Sequence, residues 1–168
     1  MKKLIADKIG RIVKSRKQVE KELDVKLTIK GKEVSIEGNP ENEYYAEKII
    51  DALNLGFTFE IALLIKEEDY VFEIINIKDH TKRKDLERIR GRIIGTKGKT
   101  LKVLEGLTKC FFEVKDNTVG VIGDAEHIEG AQEGIISLIR GSKQSKVYNY
   151  LEKHQVQPVY DLGLKNKD

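Results

Sequence analysis

The 168-residue chain has a single cysteine, three histidines, two prolines and no tryptophan. With Cys110 alone, neither an intramolecular disulfide nor a cysteine-built zinc site can form, and a reducing, cytoplasmic setting fits. His80, His127 and His154 are too scattered for metal-ligand spacing, so no metal and no cofactor is expected. No apolar run approaches the ~20 residues that a membrane span requires, so no membrane is expected as a partner. At the N-terminus the apolar patch Leu4-Ile5-Ala6 gives way at once to Asp7 and Lys8, which is not the pattern of a secretory signal. What the chain does have is 39% hydrophobic and 35% charged residues. That composition supports a packed core, in one medium domain or two small ones.

The net charge of +3 conceals an uneven distribution. Residues 1–21 carry eight Lys/Arg against two acids, and residues 82–102 carry nine against two. The segment between them holds six bases and fourteen acids. Two basic clusters on an otherwise acidic chain suggest two surfaces for a polyanion; solvated helical faces would give the same charge count.

The clusters open two similar segments. Gly10-Arg11-Ile12-Val13 corresponds to Gly91-Arg92-Ile93-Ile94, and Ile36-Glu37-Gly38-Asn39 corresponds to Val121-Ile122-Gly123-Asp124. Two copies of this length point to duplicated domains and not to a solenoid. In the second copy, Tyr70–Lys78 reads as a strand. Leu86, Ile89 and Ile93 then fall at helical spacing. Glycines 95 and 98 interrupt that helix, and Leu101, Leu104 and Leu107 mark another. Strands over Cys110–Lys115 and Thr118–Ile122 are joined by Asp116-Asn117 as a two-residue turn. Asp124 is expected to cap a third helix that buries Ile128, Ala131, Ile135 and Leu138 and stops at Gly141. The first copy is expected to repeat this order. It opens with a strand at Leu4-Ile5 and has a third helix started by Asn39-Pro40 that buries Ala46, Ile49, Ile50 and Leu53. Added helices are expected at Thr58–Ile65 and Ser145–His154. Glu67-Glu68-Asp69 marks a boundary, giving domains 1–68 and 69–168.

The chemistry concentrates at Gly95-Thr96-Lys97-Gly98. Glycines allow a tight reversal with no Cβ, so another chain can approach the backbone. The helix that follows presents N–H groups and a dipole that favour phosphate. Lys97, Lys99 and Thr100 add donors, and Arg88, Arg90 and Arg92 come from the preceding helix. Bases are expected on the apolar face near Ile93, Ile94 and Leu101. This is the arrangement by which a KH domain clamps about four nucleotides of single strand.

A phosphate-binding P-loop is the enzymatic alternative, since Gly98-Lys99-Thr100 matches its end. That motif needs glycine at position 93, where the chain has Ile93, and a strand upstream where a helix is read. No enzyme is therefore expected. A protein-binding adaptor with incidental RNA contact is the second alternative. The Phe111-Phe112 pair reads as strand packing against helices before base stacking, and Cys110 as a small buried hydrophobe.

Residues 88–100, Arg-Ile-Arg-Gly-Arg-Ile-Ile-Gly-Thr-Lys-Gly-Lys-Thr, resemble the second KH domain of the archaeal ribosomal RNA-processing proteins. These are the counterparts of the eukaryotic small-subunit assembly factors called Partner of Nob and Krr. Gly56-Phe57 with Glu60 and Ala62, Val119–Gly123, and Val147-Tyr148 with Leu151-Glu152 extend the similarity to about residue 155. The resemblance implies an α+β fold of two tandem type I KH domains (β-α-α-β-β-α), each a three-stranded sheet packed on helices, with an added C-terminal helix. It also implies binding to the 3′ end of small-subunit ribosomal RNA. The implied protein partners are the endonuclease that trims that end and the alpha subunit of translation initiation factor two. The sequence departs from the family pattern in two places. Lys14-Ser15-Arg16-Lys17 replaces the first Gly-x-x-Gly, so Arg11, Lys14, Arg16 and Lys17 are expected to give a secondary, purely charge-based contact. Leu101 stands where the family often has a basic residue.

Overall fold

Strand alternation and helical spacing place the core of the first half. The computed structural model describes residues 1–155. Strands β1 (Lys2–Ile5), β2 (Lys26–Lys30) and β3 (Glu33–Glu37) form an antiparallel sheet with β3 in the centre. Leu27, Val34 and Ile36 turn to one face and are fully buried there. Helix α1 (Ile9–Leu23) covers that face with Ile12, Val19 and Leu23. Helix α2 (Pro40–Leu55) adds the expected Ala46, Ile49, Ile50 and Leu53. Asn39 caps α2 as expected, its Oδ1 accepting the Asn42 N–H at 2.9 Å with Pro40 in the first turn. Such a cap contributes about 1 kcal/mol. Thr58 starts the short helix α3 (Phe59–Ala62), which runs on as a 3₁₀ turn over Leu63–Lys66.

The first half departs from the expected order at Lys14-Ser15-Arg16-Lys17. No loop and no second helix occur there, because α1 runs unbroken through all four residues. Nothing in that stretch favours a left-handed turn, and Lys and Arg are good helix formers. Arg16 closes an i,i+4 pair with Glu20 (Nε–Oε2 3.6 Å) while Ser15 turns inward and is buried. The order is therefore β-α-β-β-α in this half.

In the second half, β4 (Tyr70–Asn76), β5 (Phe111–Lys115) and β6 (Thr118–Asp124) form an antiparallel sheet with β6 central. Strand β4 ends two residues before the expected Lys78. There the Asn76 Oδ1 accepts the Lys78 N–H at 3.1 Å and the chain enters a 3₁₀ turn over Ile77–His80. Helices α4 (Leu86–Ile94), α5 (Lys99–Thr108) and α6 (Ile128–Ile139) pack on one sheet face, and α7 (Gln144–Lys153) packs on α5 and α6. The α6 stripe Ile128, Ala131, Ile135 and Leu138 is buried as expected. Asp124 does not cap that helix directly. It ends β6, and its Oδ1 accepts the N–H of His127, the residue before the first turn, at 3.0 Å.

Strand β6 buries both its faces. Val119 and Val121 enter the core under α4–α6, whereas Ile122 joins the core of the first half. A Cβ on Gly120 would lie 2.7 Å from Leu55 Cδ1 and 3.0 Å from the Phe57 ring, so a side chain there would push both aside where the two halves meet. Phe57 meets Phe72 edge to face at 6.2 Å between ring centroids. Burying a ring of that size contributes about 2–3 kcal/mol. At the rim of this junction, Lys115 Nζ pairs with Asp7 Oδ2 at 3.2 Å. Among the described residues no helix is long and apolar enough to cross a membrane.

Candidate nucleic-acid interface

Helix α4 stops because Gly95 adopts φ +77° and ψ 171°, a backbone region essentially confined to glycine. The Gly95 N–H still donates to the Gly91 carbonyl at 2.8 Å, and the Gly98 N–H donates to the Gly95 carbonyl at 3.1 Å. The turn so formed reverses the chain and launches α5. The two glycines do different work. A Cβ on Gly95 would sit 2.6 Å from the Thr100 backbone nitrogen and nearer still to its Oγ1. At Gly98, in the left-handed region at φ +76° and ψ 15°, a Cβ would meet nothing within 4 Å. Gly95 is therefore required both by its dihedrals and by packing inside the turn, whereas Gly98 is favoured by its left-handed dihedrals alone, with open space above it. Lys97 between them is also left-handed (φ +55°), which is uncommon for a residue with a Cβ. No side chain caps the N-terminus of α5, so its positive dipole end faces the loop uncompensated.

The structure sorts the expected site residues into two groups. Thr96, Lys97 and Lys99 are exposed on and beside the loop, Gly98 lies open between them, and Arg88 is exposed on α4. Ile94 and Leu101 are half-buried near them, where an apolar surface for bases is expected. The rest are committed elsewhere. Ile93 is fully buried and belongs to the core, so it offers no surface to a ligand. Arg90 donates to Asn117 Oδ1 in the β5–β6 turn at 2.7 Å. Arg92 donates to the Leu138 carbonyl at 2.6 Å and to the Ser142 carbonyl, tying α4 to the end of α6. Thr100 is buried, and its Oγ1 accepts from Gln144 Nε2 at 3.2 Å. These four fix the shape of the loop's supports. In the first half, Arg11, Lys14, Arg16 and Lys17 are exposed along one continuous helix and not on a loop.

Gln144, Val103 and Tyr148 were absent from the expected site, yet they line a cleft beside the loop. Val103 had a signal, four residues after Lys99 and so on the same helical face. Gln144 had none, since its partners lie 44 and 52 residues away. Two other candidates resolve simply. Phe112 is buried in the core, and Phe111 is half-buried against the first half. Cys110 is buried, and burial pushes its thiol up to about 11, so it is not a nucleophile at neutral pH.

Residues 71–156 match the family model described as a eukaryotic-type KH domain (KH-domain type I). A sheet of three antiparallel strands with helices on one face, two of them joined through Gly-x-x-Gly, thus makes this chain a KH-domain protein. A KH domain-containing protein of Methanocaldococcus jannaschii is 35% identical over 154 residues, covering 88% of this chain and 68% of that protein. The pre-rRNA-processing protein PNO1 of Saccharomyces cerevisiae is 34% identical over 139 residues, covering 77% of this chain and 50% of that protein. The chain therefore spans about half the length of the yeast relative. The crystal structure of Dim2p from Pyrococcus horikoshii superposes with a TM-score of 0.84 at 33% identity, covering 91% of this chain and 98% of that one. Dim2p from the same organism, in a complex with a/eIF2alpha and rRNA, gives a TM-score of 0.83 at 33% identity, with coverage of 90% and 92%. The chain belongs to the archaeal KH-domain branch of the PNO1/Dim2 pre-rRNA-processing family.

Proposed function

We propose that the chain is a non-enzymatic, cytoplasmic RNA-binding factor of ribosome biogenesis, made of two tandem KH modules at residues 1–68 and 69–168. The second module clamps single-stranded RNA at Gly95–Gly98. The observation that carries this reading is the loop itself. It combines a glycine with open space above it, two exposed lysines and an uncapped helix N-terminus. Phosphates lie over the turn, and bases lie on Ile94 and Leu101. A duplex, which hides its base edges, does not fit. The first module, with its loop replaced by helix, contributes charge alone.

The family of the chain supports the 3′ end of small-subunit rRNA as the target. It also supports two protein partners, the endonuclease that trims that end and the alpha subunit of translation initiation factor two. The complex of a related Dim2p with a/eIF2alpha and rRNA supports the second of these.

The test is a titration of the full chain against a 3′-end oligonucleotide, a scrambled version and a hairpin, at several salt concentrations. About four phosphates neutralised at the loop give a log–log salt slope near −3, and any contact with the α1 cations makes it steeper. Replacing Thr96 and Lys97 with Asp should abolish binding in a folded protein, since two carboxylates would then face phosphates. Unchanged affinity in that variant refutes the clamp, and equal affinity for the scrambled strand refutes the target. No RNA binding by the unaltered chain would favour an adaptor that docks protein only.

A further inference from the structure

A cleft of about 670 Å³ opens between α4, α5 and α7, on the α7 side of the loop. Gly95, Thr96 and Lys99 form its rim, so the loop is one wall of it. Arg88, Gly91, Val103, Gln144 and Tyr148 line the rest, along with Arg92 and Thr100. None of these lining residues is an acid, in a chain with 28 Asp and Glu. None of its three cations, Arg88, Arg92 and Lys99, takes part in an ion pair among the described residues. Arg92 is held by backbone carbonyls. The cleft is therefore built for an anion.

It is also built for a flat apolar group. Val103 is 40% exposed, an uncovered aliphatic surface on α5. Tyr148 is half-buried against the core, which fixes its ring at the wall. A Cβ at Gly91 would meet nothing within 4 Å, so a ligand can lie close to the α4 backbone. The Gln144 amide nitrogen donates to the Arg92 carbonyl at 3.1 Å and to Thr100 Oγ1 at 3.2 Å. Those two acceptors fix the amide plane and leave its Oε1 as an acceptor for a donor on the ligand. Cations, an aromatic wall and an oriented amide are the parts that hold one nucleotide.

We infer that this cleft is a nucleotide subsite that takes the next residue of a bound RNA strand beyond those on the Gly-x-x-Gly loop. The strand reaches it across Thr96 and Lys99. The inference rests on the reading of the loop as an RNA clamp, and the experiment separates the two. Fluorescence anisotropy is measured with a four-nucleotide strand that binds the loop, and with the same strand extended by one to three nucleotides at either end. Adenosine monophosphate is titrated in parallel.

Extension at one end raises affinity about tenfold, the contribution of one stacked base. Val103→Glu, at an exposed position, places a carboxylate in the cleft and removes that gain while the four-nucleotide affinity stays within about twofold. Tyr148→Leu keeps the packing, adds no charge and removes most of the same gain. If extension at neither end raises affinity, or if both variants weaken short and long strands equally, the subsite is overturned and the clamp stands. Binding of adenosine monophosphate that Val103→Glu abolishes, with no gain from extension, overturns it in favour of a free nucleotide. If neither strand binds the unaltered chain, the clamp fails and the subsite with it.

Discussion

The two glycines of the loop can be separated by a methyl group. Gly95→Ala forces a side chain into a dihedral region that costs an L-residue about 2 kcal/mol. It also drives the new Cβ to 2.6 Å from the Thr100 nitrogen, a backbone atom of α5 that cannot swing aside. Overpacking of that kind adds about 1–3 kcal/mol. The sum, about 3–5 kcal/mol, corresponds to a fall in melting temperature of roughly 10–15 °C for a cooperative unit of this size. Gly98→Ala meets no atom within 4 Å. It incurs the left-handed penalty of about 1–2 kcal/mol, partly offset by a stiffer unfolded chain, so its melting point falls by only about 3 °C. Its methyl group stands in the open space through which a phosphate would approach, so RNA affinity falls about tenfold or more. Calorimetry and anisotropy on the same preparations give both numbers. Equal melting shifts for the two variants, or full RNA affinity in Gly98→Ala, would refute this division of labour.

Two further outcomes follow from groups away from the loop. Burial, and then Glu47, raise the Asp51 carboxyl from 3.8 to about 6. The folded state thus binds an extra proton between about pH 4 and pH 6, and stability falls as pH rises through that window. Asp51→Asn should be more stable at pH 7 by roughly 1 kcal/mol and equal to the unaltered chain at pH 3, by denaturant titration. Replacing Lys14, Arg16 and Lys17 with Gln should weaken binding to all RNAs alike and make the salt slope shallower by about 0.7 for each phosphate that is no longer neutralised. A loss confined to one RNA sequence would show that α1 reads bases.

The second half was legible because each of its signals is local. Apolar residues at helical spacing marked α4, α5 and α6, and the glycines marked the break between α4 and α5. The first half misled at Lys14–Lys17, where the internal repeat argued for a loop but the residues themselves argued for helix, and the local preference won. Asp124 misled because β6 runs on for the whole stretch to that residue before the helix begins. At the site, exposed Lys97 and Lys99 could be read from the loop alone. Ile93, Arg90 and Arg92 could not, because what decides their roles is a core neighbour or an acceptor tens of residues distant. The same holds for Gln144, whose two acceptors belong to helices that only the fold brings beside it.

Strand β6 is shared by two cores, and this has a mechanical consequence. Both faces of that strand are packed, one in each core, so the two halves are expected to move together and to hold the cations on α1 at a set distance from those on the Gly95–Gly98 loop. An RNA held at the loop therefore experiences the α1 charges at a constant offset, as marks on a ruler. On the proposed reading of the loop and its cleft, lengthening the strand past the nucleotides they would hold should leave affinity flat until it spans that offset and then raise it in one step. Two modules on a flexible tether would instead give a gradual rise.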